Sequence, residues 1–271
     1  MPTTGNVDPT LGEENWKSSF MHEEEIAQPG YHRMYLKDYG IWVEQTATDR
    51  TGMYRLTFTQ DSDADILVNL GGYIASTTMR NADVKKVSNN EIEGSFDTYG
   101  RHWGGPENVK VHFVIRFDKD FERLDGWRDK ERYSDIDTLQ GSSIITRRHP
   151  KEELSYLDSP TSGVSAHYRV KTGDKICVRT AISYVSVDNA RENLENDAVT
   201  WDFDLVKKTS QDEWNKWLGR IEVKGGSQKQ RTKFYTDLWH VLLGRHKIDD
   251  VNGEYPDLTE GERYYSYTRN I

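Results

Sequence analysis

The sequence predicts a mainly β protein in which an antiparallel β-sandwich is followed by linker helices and by the first helix of a further, truncated helical domain. As far as residue 187, apolar or aromatic residues alternate with polar ones, which is typical of strands with one buried face. From residue 188 the apolar residues recur at the three- and four-residue intervals of a helix. Strands that follow one another without intervening helices favour an antiparallel sandwich over an α/β fold.

Apart from two short strands given below, nine strands are predicted, and short polar breaks separate most of them. They are Tyr31–Leu36, Ile41–Thr48, Met53–Thr59, Ala64–Leu70, Val84–Val87, Glu91–Phe96, Lys110–Phe117, Gly163–Val170 and Lys175–Val187. Ser88-Asn89-Asn90 predicts a hairpin turn, because Asn tolerates a positive φ. Residues 1–20 predict an irregular lead-in. The charged segment Asp118–Pro160 predicts a long loop that contains one short strand at Ser142–Thr146.

The predicted helices lie in the C-terminal third. Asp188 is in position to cap a helix over Asn189–Leu194, and a second helix is predicted for Trp201–Leu218. A short strand at Ile221–Val223 and a Gly-Gly turn precede a third helix, Gln228–Leu243. The face of this helix carries Phe234, Leu238, Val241 and Leu242, flanked by Tyr235 and Trp239.

These patterns divide the chain into a sandwich domain over residues 1–187, a helical linker over 188–227 and the beginning of a helical domain over 228–271. An isolated helix of about 16 residues is marginally stable in water. The third helix is therefore expected to depend on a partner. That partner is either the sandwich, reached through Trp214 and Trp217, or a second copy of the chain that covers the exposed apolar stripe.

Composition excludes several classes of partner. The net charge is -9 and the isoelectric point is about 5.4, which argues against binding of a nucleic acid backbone. The mean hydropathy is -0.85, and no apolar run approaches the length of about 20 residues that a membrane span needs. Cys177 is the single cysteine, so no disulfide or zinc knuckle is expected. The 15 Tyr and eight Trp fit strand propensity, and they also fit platforms for sugar rings.

No motif for catalysis or metal binding is present. The eight histidines show neither HxH nor HExxH spacing, and nucleophile-elbow, dinucleotide and P-loop signatures are missing. Asp250-Val251-Asn252-Gly253 begins like a calcium loop, but the bidentate Glu does not follow at the required spacing. The acidic clusters form no persuasive opposed pair. We therefore assign no catalytic residue and no metal ligand to this chain.

Four collinear segments resemble the family-92 glycoside hydrolases, which are bacterial α-mannosidases. The segments are Phe20–Leu36 (FMHEEEIAQPGYHRMYL), Val43–Arg50 (VEQTATDR), Ile182–Phe203 (ISYVSVDNARENLENDAVTWDF) and Gly219–Tyr255, which contains FYTDLWHVLL and DDVNGEY. Met21, His32, Gln45 and Asn252 depart from the usual residues of that family.

The resemblance implies an exo-acting, inverting, calcium-dependent α-mannosidase of α-1,2 type that acts on mannose-containing glycans. In such an enzyme the sandwich joins an (α/α)6 barrel, and such a barrel needs about twelve helices, whereas this chain offers about three. The resemblance therefore implies an interior piece, with the start of the sandwich, the acid and base, and most calcium ligands outside it. It also implies a periplasmic or extracellular parent protein, although Met1 is not followed by a signal peptide.

Four residues are candidates for substrate binding. Arg101 and Trp103 lie in a glycine-rich loop, where the Trp could stack on a pyranose and the Arg could reach hydroxyl groups; the alternative is a hairpin loop whose Trp packs on the sheet. Asp249 and Asp250 follow the third helix, where the family places a loop near the sugar pocket; the alternative is a pair of solvated or capping carboxylates.

A second class of function stays open. The chain could belong to a non-catalytic carbohydrate-binding or architectural β-sandwich module, and its aromatic content fits that class equally well. A sugar-active sandwich that is complete as it stands would need opposed carboxylates on its strands.

Overall fold

The computed structural model describes residues 1–74, 77–99, 108–143, 162–197, 200–244 and 247–256. Within these ranges the chain forms strands first and helices afterwards, which confirms the predicted fold class. The strands are β1 (Pro2–Thr4), β2 (Ile26–Gln28), β3 (Tyr31–Leu36), β4 (Ile41–Ala47), β5 (Thr51–Phe58), β6 (Ser62–Asn69), β7 (Gly72–Ile74), β8 (Thr77–Ser88), β9 (Glu91–Tyr99), β10 (Asn108–Phe117), β11 (Arg123–Arg128), β12 (Glu131–Tyr133), β13 (Thr138–Gln140), β14 (Ser162–Val170) and β15 (Lys175–Ser183). The helices are α1 (Val187–Asp197), α2 (Phe203–Leu218) and α3 (Gln228–Leu243).

The strands form two antiparallel sheets. One sheet has five strands in the order β1-β6-β14-β11-β12, and the other has the order β13-β8-β9-β10-β15-β5-β4-β3-β2, with β7 beside β8. The second strand of the small sheet, β6, follows directly after β5 of the large sheet, so the chain crosses between sheets at residues 59–61. This arrangement encloses one core between two sheets, as in β-sandwiches.

The core follows the alternation of each strand. In β6 Ala64 and Ile66 face inward, whereas Asp65 between them faces outward. Their inward neighbours include Phe58 from β5 and Phe117 from β10, which are both almost completely buried. Cys177 on β15 is also buried, and burial raises the pKa of its thiol to about 12.

Several parts of the strand prediction are wrong, and two of them concern stretches that were predicted to be irregular. The predicted irregular lead-in contains β1, which pairs with β6 and is buried, although Gly and Pro follow it closely. The predicted loop Asp118–Pro160 contains β11, β12 and β13. Much of their sequence is charged, but Leu124, Trp127 and Leu139 are buried. Ser142 and Ser143 belong to no strand, and the rest of the predicted Ser142–Thr146 strand lies outside the described residues.

The caps decide where the helices begin. Ser186, and not Asp188, caps α1, because the Ser186 hydroxyl accepts a hydrogen bond from the backbone N–H of Asn189 at 3.0 Å. The predicted last strand therefore stops at Ser183, and Val187 opens the helix. Asp202 caps α2 through the N–H of Leu205 at 3.1 Å, which leaves Trp201 outside the helix.

The third helix has the predicted bounds. Ser227 and Gln230 form a capping box at its start, and Gly225 and Gly226 supply the positive φ angles of +81° and +67° in the preceding turn. The predicted strand Ile221–Val223 is wrong, since these residues are irregular. Among the described residues, no helix is both long enough and apolar enough to cross a membrane.

Candidate functional site

Ion pairs of Arg55 link the sandwich to α2. Its guanidinium donates to both oxygens of Glu44, at 2.6 and 2.8 Å, and to Asp204 at the start of α2, at 2.7 Å. Burial disfavours charge on Glu44, but the hydrogen bonds from Arg55 and Tyr31 outweigh it and the pKa of Glu44 is lowered. Because Glu44 lies on β4 and Asp204 on α2, Arg55 bridges α2 and the large sheet.

Aromatic rings extend this contact. Phe203 and Val206 of α2 pack with Tyr31 and Met53 of the sheet in a buried apolar cluster. The Arg55 guanidinium lies 4.4 Å from the centre of the Phe203 ring. Burial, and then the hydrogen bond to Glu44, raise the pKa of Tyr31 to about 12. The junction is therefore a packed interface, and α2 is fixed relative to β3, β4 and β5.

A groove with a volume of about 1550 Å³ runs beside this interface, between the edge of the large sheet, α2 and α3. Trp214, Trp217 and Trp239 line its helical wall, and Tyr31 and Tyr54 line its sheet wall. The Trp214 and Trp239 rings meet edge to face, with their centres 6.3 Å apart. Clefts with aromatic walls and a few polar groups are the usual sites for small ligands.

Carboxylates and amines occur along the same groove. Asp49, Asp197 and Glu213 are among the lining residues, and Glu213 accepts a hydrogen bond from the Trp217 indole at 2.8 Å. The indole nitrogen of Trp239 is buried without a hydrogen-bond partner among the described residues. The sequence analysis placed Trp214 and Trp217 at a docking interface. Their helical spacing gave no sign that they share one groove with Trp239.

Hydrolysis with inversion needs two carboxyl groups about 6.5–9.5 Å apart, and the acid of the pair needs a raised pKa. Burial raises the pKa of the Asp118 carboxyl. Asp118 accepts the backbone N–H of Cys177 at 2.8 Å and does not line the groove. Asp118 is therefore not placed to act on a molecule bound in the groove.

The predicted site residues Asp249 and Asp250 differ in their surroundings. Asp250 is 3% exposed, and its carboxylate accepts hydrogen bonds from Ser183 at 2.7 Å, Asn189 at 2.8 Å and Asn193 at 2.7 Å. Its described contacts thus hold the loop 247–256 on α1 and on the end of β15.

Asp249 faces outward. Its side chain is 45% exposed and lies 3.6 Å from a guanidinium nitrogen of Arg50, which also donates to the Asp249 backbone carbonyl at 2.8 Å. Arg50 is in turn tied to Asp197 at the end of α1. The sequence analysis missed Arg50, Asn189 and Asn193 as anchors of this loop. The other two predicted site residues, Arg101 and Trp103, lie outside the described residues.

Family models match the chain in two successive stretches. The model of the glycosyl hydrolase family 92 N-terminal domain matches residues 1–183. The model of the glycosyl hydrolase family 92 catalytic domain matches residues 189–271. A comparison with curated proteins found no match.

Solved structures share the fold. The family GH92 alpha-mannosidase BT3965 from Bacteroides thetaiotaomicron has a TM-score of 0.75 and 22% identity, over 98% of this chain and 35% of that one. The structure of its complex with mannoimidazole has a TM-score of 0.74 and 23% identity, over 98% of this chain and 34% of that one. The family GH92 inverting mannosidase BT2199 from Bacteroides thetaiotaomicron VPI-5482 has a TM-score of 0.78 and 18% identity, over 99% and 33%. The chain therefore spans about a third of the length of these structures.

Proposed function

The chain belongs to glycoside hydrolase family 92, and we propose that it forms the sandwich domain and the domain junction of an exo-acting α-mannosidase. The observation that carries the proposal is the succession of the two family models, one over the sheets and one over the helices from residue 189. The solved relatives support it, since one is described as an inverting mannosidase and another binds mannoimidazole. The substrates proposed are mannose-containing glycans with α-1,2 linkages.

The proposed reaction uses single displacement with inversion. A carboxylic acid protonates the glycosidic oxygen while a carboxylate on the opposite face of the sugar activates water. We place both groups outside this chain, as the resemblance to the family implies; the chain spans about a third of the length of the solved relatives. The role proposed for this chain is to present the wall of the junction and to fix α2 against the sandwich through Arg55.

Calcium is proposed for the whole enzyme, but the residues described here do not fit a site for it. Calcium takes six to eight oxygen ligands, several of them carboxylates. The described residues contain no group of three or more acidic, His or Cys side chains that could hold a metal ion. No step is assigned to the ion in this chain. We also propose that the enzyme acts in the periplasm or outside the cell.

The test is hydrolysis by two polypeptides. The 271-residue chain, incubated with an aryl α-mannoside and α-linked mannobioses in the presence of calcium, is expected to release no mannose. The whole enzyme that contains this chain is expected to cleave the α-1,2-linked mannobiose and to release β-mannose first, as seen by proton NMR. Turnover that copurifies with the isolated chain would contradict the placement of the acid and base. Release of α-mannose by the whole enzyme would contradict inversion.

A further inference from the structure

Asn252 and Gly253 lie at the turn of the loop 247–256, and they form the one Asn-Gly pair of the 271-residue sequence. Asn252 is exposed. Gly253 has a φ of +84°, and beyond its chain neighbours no heavy atom lies within 4 Å of where its Cβ would stand. The side of Gly253 on which a side chain would lie is therefore open.

An Asn-Gly pair favours one reaction of the asparagine side chain, in which the backbone itself is the nucleophile. The backbone nitrogen of Gly253 bonds to Cγ of Asn252 while the Cγ–Nδ2 bond breaks, and ammonia leaves with the proton of the Gly253 N–H. Water then opens the resulting succinimide ring at one of its two carbonyls and leaves aspartate or isoaspartate at position 252. Glycine favours the attack because no side chain hinders its nitrogen.

In the structure, hydrogen bonds hold both reacting groups. The backbone N–H of Gly253 donates to the carbonyl of Asp250 at 2.9 Å, which closes a β-turn. The side-chain amide of Asn252 donates to Glu192 of α1 at 3.1 Å, and its oxygen accepts the backbone N–H of Glu254 at 2.9 Å. The nitrogen of Gly253 is therefore free to attack only when the turn opens.

Contacts with the sandwich and with α1 keep the loop closed. The buried Asp250 carboxylate accepts hydrogen bonds from Ser183 of the sandwich at 2.7 Å and from Asn193 of α1 at 2.7 Å. Arg50 donates to the backbone carbonyl of Asp249 at 2.8 Å. Local opening that breaks these contacts releases the turn without unfolding the sandwich. Loop opening, and not exposure alone, therefore limits the reaction.

Deamidation reverses the contact between the loop and α1. The Asn252 amide nitrogen donates to a Glu192 oxygen, and after the reaction a carboxylate stands where this donor was. Two like charges then face each other and repel. Isoaspartate also adds one carbon to the backbone inside the turn, which displaces the N–H of Gly253 from the carbonyl of Asp250. Each product therefore weakens the hold of α1 on the loop.

We propose that Asn252 is a site of spontaneous deamidation, and that opening of the loop 247–256 sets the rate of this modification. The reaction consumes water, releases ammonia and needs no other partner. Because the ammonia leaves, the asparagine is not restored and the change is one-way. Lys247 at the start of the loop lines the junction groove, so the modification loosens one rim of that groove. The site does not depend on the glycosidase function proposed above.

The test is incubation of the 271-residue chain at mildly alkaline pH in water enriched in the heavy isotope of oxygen, followed by peptide mass spectrometry. Each deamidation adds one heavy oxygen to the new carboxylate. Asn6 is the internal reference, because it is also exposed and outside helices and strands but precedes the β-branched Val7. We expect a mass shift in the peptide that contains Asn252 and none in the peptide that contains Asn6. Absence of label at Asn252, or equal labelling of both residues, would overturn the proposal.

Two adjacent aspartates give a matched comparison for the role of loop opening. Asp250→Ala removes the buried anchor, Asp249→Ala keeps it, and both variants retain the Asn-Gly pair. The loss of one charge-assisted hydrogen bond already raises the open population about tenfold, so Asp250→Ala is expected to speed deamidation at least about tenfold. Asp249→Ala is expected to speed it by less than about fivefold. If Asp250→Ala does not fold, Arg50→Gln replaces it with the same expectation. Equal rates for the anchor variant and Asp249→Ala would overturn control by loop opening.

A second pair of variants tests the effect of the product. Asn252→Asp carries one product of the reaction, and Asn252→Gln keeps a neutral amide that faces Glu192. Hydrogen exchange at the backbone N–H of Val251 is expected to be about threefold faster in Asn252→Asp than in Asn252→Gln, the effect of a like-charge pair at the surface. Equal exchange in the two variants would overturn the inference that the modification loosens the loop.

Discussion

Replacement of Asp250 by alanine tests how the loop after α3 is held. The Asp250 carboxylate accepts three hydrogen bonds in a site that is 3% exposed. The variant leaves the Ser183 hydroxyl without this acceptor. The side-chain amide of Asn189 still donates a hydrogen bond to Glu254 at 2.8 Å, and that of Asn193 still donates to the carbonyl of Ile182 at 3.0 Å. Two of the three donors thus retain one partner.

The expected loss of stability follows from these partners. A hydrogen bond to a charged group contributes about 1.5–3 kcal/mol, and a buried donor left unpaired costs about 1–3 kcal/mol. Since two donors keep other acceptors, we expect Asp250→Ala to lower the free energy of unfolding by about 3 kcal/mol. At about 2–4 °C per kcal/mol for a chain of this size, the melting temperature falls by about 6–12 °C.

Asp249→Ala is the matched control. This side chain is 45% exposed and makes one ion pair at 3.6 Å, and the hydrogen bond from Arg50 goes to its backbone carbonyl, which the variant keeps. An exposed pair contributes about 0–1 kcal/mol, so the control is expected to melt within about 4 °C of the wild type.

The assays are thermal unfolding followed by circular dichroism and hydrogen exchange at the backbone N–H of Val251, which donates to Asn193 at 2.8 Å. Asp250→Ala is expected to lose protection at this amide, and Asp249→Ala is expected to keep it. Equal melting temperatures for the two variants, or full protection of Val251 in Asp250→Ala, would refute this account of the loop.

Two further predictions concern pH and association. Burial opposes charge on Glu91, but hydrogen bonds from Arg191 and Arg116 prevail and lower its pKa below 4.5. The stability that results is present above that pH and is lost as the pH falls through the folded pKa. The urea midpoint of the wild type is therefore expected to fall in acid, Glu91→Gln is expected to reduce this fall, and Glu213→Gln, which changes an exposed ion pair, is expected to leave it unchanged. No described residue of α3 is fully buried, and Val241 is 71% exposed. We therefore expect the chain to self-associate through α3 in sedimentation velocity, with weaker association for Val241→Asp and unchanged association for Lys233→Ala. A wild-type chain that stays monomeric at about 100 μM would contradict this.

Local signals in the sequence were sufficient for the periodic elements. The start of α3 follows from its capping box and the Gly-Gly turn. The turn at Asn89-Asn90 lies where it was predicted, but neither Asn has a positive φ; the Ser88 hydroxyl instead accepts the backbone N–H of Asn90 at 3.3 Å. The misplaced start of α1 has a local cause too: Ser186 and Asp188 both suit a cap, and the choice depends on where β15 stops.

The short strands depended on partners that lie far along the chain. Pro2–Thr4 becomes a strand because β6, whose paired residues lie 60 to 64 positions away, supplies its hydrogen bonds. In β11 the outward row contains the buried Trp127, and the inward row ends in the charged Arg128, so the strand gives no clear alternation. Strand formation here is a property of the sheet and not of the segment.

The sequence by itself determined the fold class, the change from strands to helices near residue 187 and the resemblance to the family that the models then matched. The tertiary structure alone decided which of two adjacent aspartates is buried. Asp249 and Asp250 are identical in chemistry, but neighbouring side chains point in different directions, and only the packing of the loop on α1 turns the second toward Asn189 and Asn193. Hydrogen bonds between residues 57 to 67 positions apart leave no periodic trace in a sequence, because their geometry is set by the folded backbone between them.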